Sequence, residues 1–368
     1  MSELIASDDV RELLLDYSRT SDERLTIILG AGASRGYSRD RDYLWSPPVV
    51  SELLNEKNAL VSEVLAKSVH ASIKSQKGHI ERSIRRFDGD LEAYLSDLYK
   101  NDKEDDRFSA IVKYLEDIFA TASLRVDLED NHLQALLSVI RDLRGSRPWS
   151  IISFNYDTIL EQSIASLPIF VPPRVFQADA NYLNQNPRVL KMHGGVNLRY
   201  ISVIEPNEEG RTSAHDVFSQ MMGNSGPVES YLDTIPIKSP IPEKFGHRTF
   251  ENIGGRIIYN FPLMMIPIHT LVRSENSFFG RQIEQAKADI AQSKLTIAIG
   301  YQFGDNHFVE ALSNVNLGDN KLVLVGTKQL VDDGVNSRAY KQASGAWSKG
   351  NIKIYDGRDF ASFVESIY

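Results

Sequence analysis

Five groups of residues carry types and spacings suited to holding a phosphorylated ligand and working on it. Gly30-Ala31-Gly32-Ala33-Ser34 follows the apolar run Leu25 to Leu29. Glycines at that spacing let backbone amides approach a pyrophosphate, and the next helix offers its positive end. The same residues also suit a tight turn without a ligand. Asn155, Tyr156 and Asp157 follow a second apolar run. An Asn and an Asp two apart can hold a ribose hydroxyl or a water; equally, Asp157 suits a helix cap. His193 closes a third run and precedes Gly194 and Gly195. It is suited to general acid–base work, with a structural role as the alternative. Gly300, Tyr301, Gln302 and Asp305 follow a later run, and Gly326 and Thr327 the next. Each of these also fits an ordinary turn.

The elements that must position these groups are short and apolar. LTIIL, SIISF and RVLK read as buried strands, followed near the C-terminus by KLTIAIG, KLVLVGT and NIKIYD. An amphipathic helix is expected over residues 8–19, and others over FFGRQIEQAKADIAQ and NHFVEALSNV. Strands alternating with helices predict an α/β fold, a Rossmann-like parallel sheet covered on both faces. In such sheets ligands bind outside the carboxyl ends of the strands, where the polar groups above fall. Residues 49–143 are helical almost throughout, with no convincing strand. They read as a large helical insertion into a core made of residues 1–48 and 144–368. Residues 196–266 resist assignment, apart from a few short strands (LRYISVI, GRIIYNF) and a mobile loop expected around 205–228.

Composition narrows the class. The 368 residues include no cysteine, which excludes disulfides and thiolate metal sites and fits a reducing cytoplasmic location. A net charge of −8 gives no global field for nucleic acid, so no direct nucleic-acid binding is expected. The densest basic stretch, Lys74 to Arg86, reads as a solvated helix face. No apolar run is long enough to span a bilayer, and no signal peptide is visible. The glycine spacing, Gly30, Gly32 and Gly36, is neither the dinucleotide G-x-G-x-x-G nor a phosphate loop, since no G-K-[ST] follows.

Taken in order, GAGAS at 30–34, FNYD at 154–157, KMHGG at 191–195 and IGYQFGD at 299–305 resemble the SIR2 (sirtuin) superfamily. There a Gly-Ala-Gly-x-Ser loop, an Asn-x-Asp and a His-Gly surround NAD. The resemblance implies a SIR2 fold without its four-cysteine zinc module, and no metal. The Asp-Phe-Arg segment of deacylating sirtuins has no clear counterpart near Trp45 to Pro48. The forms present look like the bacterial antiphage branch, whose members hydrolyse NAD to nicotinamide and ADP-ribose. On that resemblance NAD is the substrate, and the amides of Gly30, Ala31, Gly32 and Ser34 bind its diphosphate. Asn155 positions the water or ribose, Asp157 organises the nicotinamide pocket, and His193 is the general base. Tyr156, Gly194, Gly300, Tyr301, Gln302, Asp305 and Gly326 line the site. A NAD or ADP-ribose sensor without turnover is the alternative, and a NAD-dependent protein deacylase a further one. The chain ends soon after its last strand, so control is expected from homo-oligomerisation or a separate partner. The resemblance points to a HerA-type ATPase, with a short Argonaute as the alternative.

Overall fold

The computed structural model describes residues 4–20, 22–37, 46–87, 91–101, 107–125, 131–165, 186–204, 230–234, 249–253, 256–264, 278–357 and 359–367. The expected mobile loop at 205–228 lies outside the described residues. In chain order the elements begin with β1 (Leu4–Ile5), α1 (Ser7–Thr20), β2 (Arg24–Leu29) and α2 (Ala31–Arg35). Next come α3 (Ala59–Ala66), α4 (Ala71–Arg86), α5 (Leu91–Asn101), α6 (Arg107–Leu124) and α7 (His132–Arg144). The middle of the chain gives β3 (Trp149–Ser153), α8 (Ile159–Ala165), β4 (Arg188–Lys191), β5 (Gly194–Ile204), β6 (Ser230–Thr234), β7 (Thr249–Ile253) and β8 (Arg256–Met264). The last part holds α9 (Phe278–Ala291), β9 (Ser293–Ile299), α10 (Asn306–Ser313), β10 (Lys321–Val325), α11 (Lys328–Asp333), α12 (Arg338–Ala343), β11 (Ile352–Tyr355) and α13 (Phe360–Ile367).

Seven strands pair in parallel in the order β1-β11-β10-β9-β2-β3-β4. From β2 the chain moves to β3 and β4 on one side, then returns to β9, β10 and β11 on the other. This is a doubly wound sheet whose order reverses between β2 and β9, the place where such sheets open a ligand crevice. The strands are apolar on both sides because both are covered. Ile27, Leu29, Ile151 and Ile297 pack with α1, α7 and α13, whereas Ile28, Ile152, Ala298 and Leu324 pack with α9, α10 and α12.

Two regions add to the sequence reading. The helices that follow Val49 pack into two different cores. Those from α3 to α6 bury Leu60, Val64, Ile80, Tyr94, Leu115 and Ile118 in a second core, which Val196 of β5 joins. Helix α7 instead places Leu133, Leu136, Leu137 and Ile140 against the sheet, as the crossover helix from β2 to β3. Helical periodicity is alike in both cases, so only the partner face separates them. The second lies within 196–266, where the expected strands LRYISVI and GRIIYNF fall in β5 and β8 of an antiparallel sheet ordered β6-β5-β8-β7. It starts at Gly194, directly after the sequence-predicted histidine, and pairs Gly194 with Met264. Proline, glycine and asparagine interrupt the alternation there, which hides long strands from a local reading.

Candidate active site at the strand ends

Backbone bonds join the ends of β2, β9 and β10. Gly30 N donates to Ile299 O (3.0 Å), Gly32 N to Gly300 O (3.1 Å), and Gly300 N to Val325 O (2.8 Å). A Cβ on Gly30 would stand 2.5 Å from Gly300 O, and one on Gly32 2.7 Å from Gly300 Cα. These glycines therefore let two strand ends touch. Ala33 N is also engaged, donating to Gly30 O (2.9 Å). Of the four amides expected to meet a diphosphate, those of Gly30 and Gly32 bond protein carbonyls. Ala31, the first residue of α2, is the exposed one.

Asn155 faces this loop. Its Nδ2 donates to Gly30 O (2.9 Å) and to Ser34 Oγ (2.7 Å). Asn155 is thereby tied to the loop that follows β2. Asp157 is only 2% exposed, and its Oδ1 accepts from Ile159 N (3.1 Å). That is an Asx turn at the start of α8, the local role its position allows. Tyr156 lies between the helical unit and the histidine: its ring is 5.3 Å from Phe119 of α6 and 5.7 Å from His193. Thr158 N donates to Ser123 Oγ (3.0 Å), a second contact from α6 to this loop.

His193 is 5% exposed and is held by Asp305, with Nε2 2.9 Å from Oδ2. The other Asp305 oxygen caps α10, accepting from Phe308 N (3.0 Å). Asp305 is thus fixed by a helix end and in turn fixes an imidazole. This is how a third group orients a general base. Burial pushes the Asp305 carboxyl up. The hydrogen bond and charge of His193, the Phe308 amide and the charge of His307 outweigh burial and hold it below its ordinary value.

A depressed carboxyl contributes stability that is complete above its unfolded pKa and is lost as pH falls through the folded value. Replacing Asp305 with Asn is therefore expected to cost about 1–3 kcal/mol at neutral pH. The gap to wild type stays flat down to about pH 4 and closes below it. Urea denaturation of both proteins across that range measures it.

Aromatic rings wall the site. Phe154 stacks on Tyr301 (centroids 4.1 Å apart, 15° between planes) and meets His193 edge-on at 5.1 Å. Phe154 and Asp305's grip on the histidine were missed by sequence reasoning; Phe154 reads there only as the end of an apolar run. Phe303, buried against Trp347, has φ +53°, a left-handed conformation rare for a bulky residue. This strain sits in the loop that presents Tyr301 and Asp305. Gly194 has φ +71°, which lets the chain turn from β4 into the second sheet. Gln302 is exposed, and a Cβ on Gly326 would meet the Leu330 side chain at 2.7 Å, a local packing demand.

The fold and site define a doubly wound α/β protein with a histidine–carboxylate pair at its switch-point crevice. No family model matches the chain, and no curated protein matches it. It is similar to solved structures of Sir2 proteins. One is a Sir2 mutant with a p53 peptide and NAD (14% identity, 97% of this chain and 96% of that chain, TM-score 0.39). Another is a Sir2 homologue–NAD complex (10% identity, 97% and 93% covered, TM-score 0.40). A third is a Sir2 protein bound to a propionylated peptide (13% identity, 97% and 96% covered, TM-score 0.39). The fold class itself rests on the strand order of this chain.

Proposed function

We propose that the chain hydrolyses NAD at the bond between nicotinamide and ribose. The observation that carries this reading is the convergence of a clamped imidazole and a clamped carboxamide at one crevice. His193 is held by Asp305, and Asn155 is held by the glycine loop. Cleavage of this N-glycosidic bond leaves its electron pair on neutral nicotinamide and positive charge on the ribose. A water oxygen then bonds C1′, and its proton passes to His193 and on to solvent, giving ADP-ribose. Asn155 would position the water or a ribose hydroxyl, and the crevice between β2 and β9 would take the diphosphate. Doubly wound sheets take their ligands at this place, outside the carboxyl ends of the strands where the order reverses.

On the motif resemblance, the activity serves as the NAD-depleting effector of antiphage defence. Self-assembly or a separate partner, a HerA-type ATPase or a short Argonaute, sets how far that activity rises above the basal rate of the purified protein. No helix among the described residues is long and apolar enough to cross a membrane.

Purified protein incubated with NAD alone is expected to release nicotinamide, measured by chromatography. Release only in the presence of an acylated peptide would make it a deacylase, and binding without release a sensor. Either outcome overturns the proposal.

A further inference from the structure

Strand β4 forms one edge of the described sheet, so its outer backbone groups lack a ladder. At Lys191 one side chain supplies what a further strand would. Gln282 of α9, 1% exposed, accepts from Lys191 N through Oε1 (2.6 Å) and donates from Nε2 to Lys191 O (3.1 Å). The same helix binds the start of the strand, where Asp289 takes Arg188. Helix α9 thus grips β4 at both ends. The Lys191 side chain, 1% exposed, then reaches in the other direction. Its Nζ donates to the Asp157 carbonyl (2.7 Å) and pairs with Glu161 Oε1 on α8 (3.1 Å).

Holding an ion pair this deep is costly, and apolar residues of similar volume would serve stability as well or better. Burial already pushes the Glu161 carboxyl up, against the pull of Lys191. What apolar residues cannot replace is the bond from Nζ to the Asp157 carbonyl. That bond ties the loop carrying Asn155 to the strand that delivers His193 two residues later.

We infer that Lys191 is a positioning residue: held by Gln282, it sets the Asn155–Asp157 loop against His193 through the Asp157 carbonyl. Only the turnover arm of its test rests on the proposed reaction.

The test compares Lys191→Met, the double variant Lys191→Met/Glu161→Leu and Glu161→Gln with the full-length wild type. Denaturation, amide hydrogen exchange over residues 155–162 and the kcat and KM of nicotinamide release are read for each. The single Lys191 variant is less stable, and the double variant regains stability. Both exchange the loop amides about tenfold faster, the scale of one lost charge-assisted bond. Both also lose about 10²-fold in kcat, the scale of a misplacement near 1 Å, with KM changed far less. Glu161→Gln keeps the Nζ bond and keeps both protection and kcat. Wild-type exchange and kcat in the double variant overturn the assignment, as does lost loop protection in Glu161→Gln, which also decides the matter if the Lys191 variants fail to fold. A wild type without turnover defeats the proposed reaction instead, and the exchange result alone then decides for or against Lys191.

Discussion

Replacing His193 with alanine lowers nicotinamide release by about 10²–10⁴-fold, the usual contribution of a positioned general base. The fold survives the change. His193 is bonded through its ring to Asp305, but Asp305 keeps its place by capping α10 through Phe308 N. The surrounding wall of Phe154 and Tyr301 stacks without it. The expected signature is therefore a collapse of kcat with a loss of stability of about 1–3 kcal/mol, the scale expected for Asp305→Asn, which disturbs the same pair. Wild-type turnover in this variant would remove His193 from the chemistry. Since Asp305 holds the imidazole in one orientation, the Asp305→Asn variant should lower kcat in the same direction by a smaller factor.

Gly300→Ala has the largest expected effect on stability, about 2–5 kcal/mol. Two penalties combine there. The residue has φ +60°, a left-handed conformation that costs an L side chain about 1–2 kcal/mol. Its Cβ would also meet the backbone of α2, lying against Ala33 N and 2.5 Å from Gly32 Cα. Overpacking a rigid backbone contact costs about 1–3 kcal/mol more. Gly318 is the internal control: it has φ +50° and nothing within 4 Å of the added carbon. Gly318→Ala should show the conformational penalty alone. Chemical denaturation of the two variants separates strain from contact, and equal losses would mean that the backbone at Gly300 yields. Because Gly300 O accepts from Gly32 N, the Gly300 change should also loosen the loop that holds Asn155.

Much of the site was legible in the sequence because its signals are local. A short β-rich apolar run ended by glycine, by Asn-Tyr-Asp or by His-Gly marks a strand and the residues just past its carboxyl end. Roles were less legible. Asp305 reads as a lining residue in sequence, and in the fold it is the histidine's partner. Asp157 reads equally as a ligand contact or a local turn, and its Ile159 bond is the turn. Lys191 reads as an interior position in a strand, with nothing in its neighbours to indicate that its ammonium crosses to the next loop. Beyond Gly194 the runs LRYISVI and GRIIYNF were legible as strands and fall in β5 and β8, but their pairing with β6 and β7 was not, while α7 reads like the helices before it because all helices share one period.

The sequence alone determined which segments become strands and which residues stand at their ends, since apolar patterning and turn chemistry are settled within a few residues. Tertiary structure decided which ends meet. Asn155 reaches Gly30 across 125 residues, and His193 reaches Asp305 across 112. Those meetings depend on β9 returning to the far side of β2, a matter of strand order and register. Parallel pairing is set by crossovers and by packing on both faces of the sheet, and no local stretch of the chain encodes it.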